Sequence, residues 1–320
     1  MKLVMIDCVS GGRPGAILAS GEIVHLERIA CAGTAEAWLP PSLRGILAAG
    51  AEGLDLVRRI IARAEQASLQ ERARWRSVGA LTPSDSTRLL APIGDPALFV
   101  SAGHAYRSHV AEMKSQAPKT PQGFLKAPSA IVGPTAEVPL PPQASQHVDF
   151  EGEICAVIGR ACHNVRVEDA LAYVAGYTVT NDVSARDWVP EIAKAKTTPQ
   201  ARAAWDLNHM GKQFPSFAPL GPALVTADEV GDPAALELTT RLNGEIMQHA
   251  IAKDLIFSVA ESLSFFSRWY AFQPGDILST GTPSGVGAGR DPQVFLKNGD
   301  VVEVEVSRLG KISNRFISVK

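Results

Sequence analysis

The chain has 320 residues, 46% hydrophobic and 20% charged, the make-up of a globular protein with material for about two domains. Thirty-one Lys and Arg against 33 Asp and Glu leave a net charge of -2, so no field of one sign is available to capture polyanions, and nucleic-acid binding is excluded as the main function. After Met1-Lys2, only four apolar residues (Leu3 to Ile6) precede Asp7, and no later apolar run approaches the roughly 20 residues of a membrane span, so a cytoplasmic protein without a membrane partner is expected.

Leu3-Val4-Met5-Ile6 and Ala16-Ile17-Leu18-Ala19 flank a turn at 11–15, and Gly21-Glu22 leads into Ile23-Val24-His25-Leu26, which predicts a small antiparallel meander. Over 42–67 the period changes. Leu43, Ile46, Leu47, Leu54, Val57, Ile60, Ile61 and Ala64 recur mostly at three-to-four spacing, which predicts helix interrupted near 50–53. From Leu89 onward, short apolar runs alternate with Pro and Gly, so a boundary falls at about 85–92. It divides a small N-terminal α/β domain, 1–88, from a larger catalytic part, 89–320. The larger part carries β-like runs at 98–101, 150–158, 177–183, 222–226, 237–242, 276–279, 301–306 and 312–319, but helical stretches only around 107–116, 167–174 and 255–270. That ratio predicts an α+β, β-rich sandwich, roll or barrel and not a doubly wound sheet. The polar segment 189–204 reads as an insertion or lid. Cys8, Cys31, Cys155 and Cys162 lack CxxC spacing and the density of a disulfide scaffold, and are expected as free thiols.

The chemistry concentrates in a few motifs. In Asp149-Phe150-Glu151-Gly152-Glu153, followed by the apolar run Ile154 to Ile158, side chains two apart share one face of a strand, so Glu151 and Glu153 can point at one ion. The alternative is a solvated edge-strand face. Adjacent acids without a cation repel each other, however, and this strand continues into core. Asp182 ends the next strand and is placed to complete a three-carboxylate face. All-oxygen ligation selects a hard cation, Mg²⁺ or Mn²⁺ with Ca²⁺ as a third candidate, and argues against zinc. On a helix from about Arg107, His109 and Glu112 form an i,i+3 pair in which the carboxylate can orient an imidazole base, with His104 as a rival. Lys126 stands between apolar residues near a strand end, either facing a site or snorkelling at the surface. The glycine-rich turn 281–287 offers N–H groups suited to cradle a carboxylate.

In this order, the segments GHAYRSHVAEM (103–113), FLKAPSAIVGP (124–134), DFEGEICAVIG (149–159), TNDVSARDW (180–188), GKQFPSFAPLGP (211–222), LNGE (242–245), DILSTGTPSGVG (276–287) and KNGDVVEVEV (297–306) resemble the fumarylacetoacetate hydrolase family. The resemblance is to bacterial acylpyruvate hydrolases and 2-hydroxyhepta-2,4-diene-1,7-dioate isomerases and runs from about Leu90 to the C-terminus. It implies a mixed β-sandwich roll and a homodimer. By matching positions it makes Glu151, Glu153 and Asp182 the metal ligands, His109, Glu112 and Lys126 the catalytic set, and Tyr106, Arg186, Lys212, Gly281 and Thr282 the substrate-binding set. Ala105 replaces the Asn that usually precedes the tyrosine, and the stretch between Asp187 and Gly211 is longer than in the short members.

The reaction implied is metal-dependent hydrolysis of a carbon–carbon bond in a 2,4-dioxo acid of acylpyruvate or fumarylpyruvate type, part of aromatic catabolism. His109 with Glu112 would activate the water, and Lys126 would hold it or the developing oxyanion. The same site could serve an oxaloacetate decarboxylase, a keto–enol or double-bond isomerase of a 2-hydroxymuconate-type diacid, or a 2-oxo acid dehydratase. A non-catalytic ligand-binding relative is the remote alternative. Ser184 and Ser284 read as structural or binding hydroxyls, and 189–204, flanked by Trp188 and Trp205, as the wall that chooses the acyl group or as a dimer contact.

Overall fold

The computed structural model describes residues 1–9, 11–31, 39–142 and 146–319. Strands β1 (Lys2–Ile6), β2 (Arg13–Ile17) and β3 (Glu22–His25) form the expected meander, with Leu3 opposite Ala16 and Ala16 opposite Val24. Helix α1 (Leu26–Cys31) follows, and the helical span splits after Ala49 into α2 (Leu43–Ala48), capped by the Ser42 hydroxyl, and α3 (Gly50–Gln66). Val57, Ile60 and Ala64 of α3 face the core at helical spacing. Helix α4 (Leu69–Ser77) was not anticipated, because Trp75 alone of its residues is buried. The signal for it is the capping box formed by Ser68 and Glu71. β4 (Leu81–Pro83) pairs with β3, and β5 (Leu89–Leu90) with β1.

In the larger part, β6 (Phe99–Gly103), α5 (Arg107–Glu112) and β7 (Gln122–Leu125) precede the short strands β8 (Ile131–Val132), β9 (Val138–Leu140) and β10 (Val148–Asp149). β11 (Gly152–Ile158) is buried along its whole length, as a strand covered on both faces must be. Helix α6 (Val167–Ala170) is shorter than the periodicity predicts: a 3₁₀ turn over Leu171–Tyr173 leads at once into β12 (Val174–Asn181). β13 (Ser184–Ala185) pairs with β10. The segment read as a lid is helical, with α7 (Val189–Lys194) and α8 (Thr198–Met210), the latter capped by Thr197. The chain continues through β14 (Ala218–Thr226), α9 (Ala227–Val230), β15 (Glu237–Leu242), β16 (Glu245–Ile251) and α10 (Val259–Phe266), and closes with β17 (Ile277–Ser279), β18 (Val301–Val306) and β19 (Gly310–Ser318).

The large sheet runs in the order β4-β3-β2-β1-β14-β12-β11-β17-β6-β7 and does not close into a barrel; β16-β15-β18-β19-β9 form a second sheet. The second sheet lies over β11: a Cβ on Gly152 would come within 2.2 Å of Thr240 Oγ1 and 2.9 Å of Val304 Cγ1, so side chains of the second sheet pack directly on the Gly152 backbone where only glycine fits. The fold is therefore the sheet-rich mixed architecture expected. The strands of 1–88 are not set apart from it, since β1 pairs with β14, Leu3 opposite Leu224. Cys8, Cys155 and Cys162 are free thiols, and the side chain of Cys31 lies outside the described ones. No described helix is long and apolar enough to cross a membrane.

Candidate active site

Glu153 stands in β11 opposite Thr180 of β12. Just beyond the paired ends, the Asp182 N–H donates to the Glu151 carbonyl at 2.8 Å, and the Glu151 N–H donates to Asn181 Oδ1 at 2.9 Å. This register brings one carboxylate oxygen each of Glu151, Glu153 and Asp182 within 4.8 Å of one another. The three side chains are buried, at 6%, 1% and 1% exposure.

Cations ring them. Lys212 Nζ donates to Glu151 Oε2 (2.6 Å), Asp182 Oδ2 (3.0 Å) and Ser184 Oγ (2.7 Å). Arg186 bridges Asp149 Oδ2 through Nε (2.6 Å) and Glu151 Oε1 through Nη2 (2.5 Å). Burial opposes ionisation of Glu151, but the charges of Lys212 and Arg186 outweigh it and hold this carboxyl far below the usual carboxylate range. Lys126, read as facing substrate or solvent, does neither. It is 2% exposed and lies behind the carboxylates, donating to Asp182 Oδ1 (2.5 Å) and to the Lys212 carbonyl (2.6 Å). These contacts fix Asp182.

Four enclosed carboxylates, Asp149, Glu151, Glu153 and Asp182, thus face three cations, Lys126, Arg186 and Lys212. Glu153 has no ion-pair partner among the described residues; Ser279 and Ser101 donate to its Oε2. Burial, and then repulsion from Asp182 and Glu151, pushes its pKa well above the ordinary value. A divalent cation fits this donor set, because it supplies the missing positive charge and an all-oxygen pocket matches a hard ion.

The dyad forms as expected. His109 Nδ1 is 3.0 Å from Glu112 Oε2 on α5, so a proton on Nδ1 leaves Nε2 as the basic nitrogen. The six-residue helix is held by Ser108 N–H on Asp254 Oδ2 (3.0 Å) and Arg107 Nη1 on the Leu255 carbonyl (2.6 Å). His104, the rival, sits in the left-handed region at φ +50°, a conformation that costs energy outside glycine and clusters at functional sites. Burial, and then the neighbouring His109, lowers its pKa, which keeps it neutral at pH 7.

The glycine-rich turn does cradle carboxylates, but they belong to the protein. The Gly287 and Ala288 N–H groups donate to Asp149 at 2.7 and 3.0 Å, and the Gly285 N–H donates to Glu112 Oε1 at 2.7 Å. Gly281, expected at the substrate, has φ +80°, and a Cβ there would stand 2.8 Å from the Ala105 Cβ. Thr282 Oγ1 donates to the Gly152 carbonyl (3.0 Å) and accepts from Gln248 Nε2 (2.7 Å). Tyr106, also assigned to substrate, is wholly buried and bridges to Leu255. Asp149, Ser101, Ser279 and Gln248 escape sequence reasoning as site residues. Only Asp149 carried a signal, as the first acid of the alternating motif.

Glu151 and Glu153 of the trio and His109 of the dyad line one cavity of about 350 Å³. His104, His109, Glu151, Glu153, Arg186 and Lys212 form its polar side, while Val189 and Ile192 of α7, Trp205 of α8, Met113 and Phe124 form an apolar wall. A larger cavity of about 810 Å³ among residues 8–80 touches none of these groups.

Residues 99–317 match the family model described as fumarylacetoacetate (FAA) hydrolase C-terminal. The chain belongs to the fumarylacetoacetate hydrolase family. Within the family it is 43% identical over 235 residues to the human oxaloacetate tautomerase FAHD2A, mitochondrial, covering 73% of this chain and 71% of that protein. The Bos taurus counterpart is 40% identical over 88% of this chain and 82% of its own. Among solved structures of the family's fold, a putative HpcE protein from Mycobacterium smegmatis superposes with a TM-score of 0.79 at 30% identity, with full coverage of both chains. Maleylpyruvate hydrolase from Sphingobium sp. SYK-6 follows at 0.74 and 25%, also with full coverage, and a structure of that enzyme is described in complex with manganese(II) ion and pyruvate.

Proposed function

We propose that the protein is a divalent-metal-dependent enzyme that enolises 2-oxo acids, and that its reaction is the keto–enol tautomerisation of an oxaloacetate-type 2-oxo diacid. The observation that carries this reading is that His109, held by Glu112, lines the same cavity as Glu151 and Glu153 of the carboxylate trio. A proton-moving base beside a cation site is what removal of a C3 proton next to a 2-oxo group requires. The identity to oxaloacetate tautomerases over most of both chains favours this reaction over others on the same site.

Glu151, Glu153 and Asp182 would hold the cation, which when bound supplies positive charge against the negative charge developing on the C2 oxygen. His109 takes the proton from C3, and Glu112 keeps the imidazole oriented. The proton then goes to the C2 oxygen, so the reaction is balanced as an isomerisation. Arg186 and Lys212 line the polar side and attract the substrate carboxylates.

A second reading is the hydrolysis of acylpyruvates that the sequence motifs imply. The wall of Val189, Ile192 and Trp205 favours it, because a second carboxylate gains nothing from an apolar surface. One assay separates the two. With Mg²⁺ or Mn²⁺, loss of the enol absorbance of oxaloacetate without release of pyruvate or CO₂ supports the tautomerase. Pyruvate and a carboxylic acid from acylpyruvates, with no effect on oxaloacetate, overturns it, and CO₂ release makes the protein a decarboxylase. His109→Ala should lower kcat about 100-fold to 10,000-fold while Mn²⁺ binding, followed by titration, persists.

A further inference from the structure

We propose that Asp149 is a positioning residue that ties the carboxylate trio to the His109–Glu112 dyad through the loop Gly285–Gly289. Its carboxylate is wholly buried, yet it is not one of the three clustered oxygens of Glu151, Glu153 and Asp182. One oxygen accepts from Arg186 Nε at 2.6 Å, and the same guanidinium holds Glu151 through Nη2 at 2.5 Å. Both oxygens also accept from the loop, Oδ1 from the Gly287 N–H and Oδ2 from the Ala288 N–H. Two residues earlier in the same loop, the Gly285 N–H holds Glu112 Oε1 while Glu112 Oε2 faces His109.

The loop's glycines seat these two carboxylates. A Cβ on Gly287 would stand 2.7 Å from Asp149 Oδ1, and one on Gly289 would stand 2.5 Å from Glu112 Cδ. Arg290 closes the far side, with Nη2 on the Met247 carbonyl (2.7 Å) and Nε on the Gly285 carbonyl (3.3 Å). The alternating glycines thus leave room for two protein carboxylates and for backbone, since a Cβ on Gly287 would also stand 1.8 Å from the Val294 carbonyl oxygen and one on Gly285 2.0 Å from that of Met247, and a shift of Asp149 is transmitted to both ends of the site.

The catalytic consequence rests on the proposed enolisation, but the tie itself is tested without turnover. In Asp149→Asn, amide hydrogen exchange of Gly285 should accelerate about tenfold, the scale of a lost hydrogen bond to a charged group. Mn²⁺ should bind about threefold or more weakly, because Arg186, released from Asp149, holds Glu151 more exclusively. In Gly289→Ala, the Gly285 amide should open while Gly287 and Ala288 stay protected and Mn²⁺ affinity holds, which also serves if Asp149→Asn does not fold. In both variants kcat should fall with KM within about threefold, the pattern of a misplaced base. Asp149→Asn leaving either Gly285 protection or Mn²⁺ affinity unchanged overturns the tie, as does Gly289→Ala with unchanged Gly285 exchange. An altered exchange pattern with no turnover of oxaloacetate in the parent protein sinks the function reading instead.

Discussion

Glu151 and Glu153 are the same residue type two positions apart, yet they stand in opposite surroundings. Lys212 and Arg186 hold Glu151 ionised, whereas Glu153 faces serine hydroxyls and two carboxylates. Their neutral isosteres should therefore behave differently. Glu151→Gln takes one carboxylate from both Lys212 and Arg186, which keep Asp182 and Asp149 as partners, and should destabilise the metal-free protein by about 2 kcal/mol, measured by denaturant unfolding. Glu153→Gln removes no ion pair and should leave that stability within about 1 kcal/mol. In the parent protein, Mn²⁺ at about 100 times its Kd should add close to 2.7 kcal/mol, and both variants should lose most of that increment. The trio was legible because strand period puts Glu151 and Glu153 on one face and the next strand, the antiparallel neighbour β12, brings Asp182 beside them. The surrounding pairs were not. Lys212 reaches Glu151 across 61 positions and Arg186 reaches Asp149 across 37, and no local pattern encodes such partners.

Helices α7 and α8 turn a polar stretch of sequence into the apolar wall of the cavity, because Val189, Ile192 and Trp205 line it, with Val189 and Trp205 still exposed at 37% and 42%. Trp205→Ala should raise KM for a long-chain 2-oxo acid about tenfold and change it little for oxaloacetate, as compared by steady-state kinetics. Equal effects on both would remove α8 from substrate selection. The α2–α3 corner offers a second test, in stability. Replacing a helical glycine with alanine ordinarily gains about 0.5–1 kcal/mol, but a Cβ on Gly53 would stand 2.4 Å from the Ile46 carbonyl. Gly53→Ala should accordingly lower Tm. The helix α4 shows what hydrophobic periodicity overlooks: a segment with one buried residue, held by its cap and by charges.

Those charges link elements across the molecule. Arg76 of α4 donates to Glu22 of β3 through Nε at 2.6 Å and Nη2 at 3.0 Å, and this hydrogen bonding lowers the Glu22 pKa below its usual 4.5. The stabilisation is present above pH 4.5 and is lost as pH falls through the lowered native value. Glu22→Gln should thus reduce Tm at pH 7 and weaken its dependence on pH in the acid range; an unchanged acid profile would show that the pair contributes nothing. The β-rich architecture was legible from short apolar runs between turns, but their order in the sheet was not, since β1 joins a strand far away in sequence. That joining sets a sequence of events in synthesis. The meander β1–β2–β3 emerges from the ribosome before the strands it later joins, and part of the other edge of β1 is covered when β5 arrives, with Met5 opposite Leu90. Lys2 and Leu3 wait for Leu224 and Val225, on the order of 200 residues later. Until then the nascent chain carries an open strand end, the kind of surface on which aggregation starts and which chaperones shield.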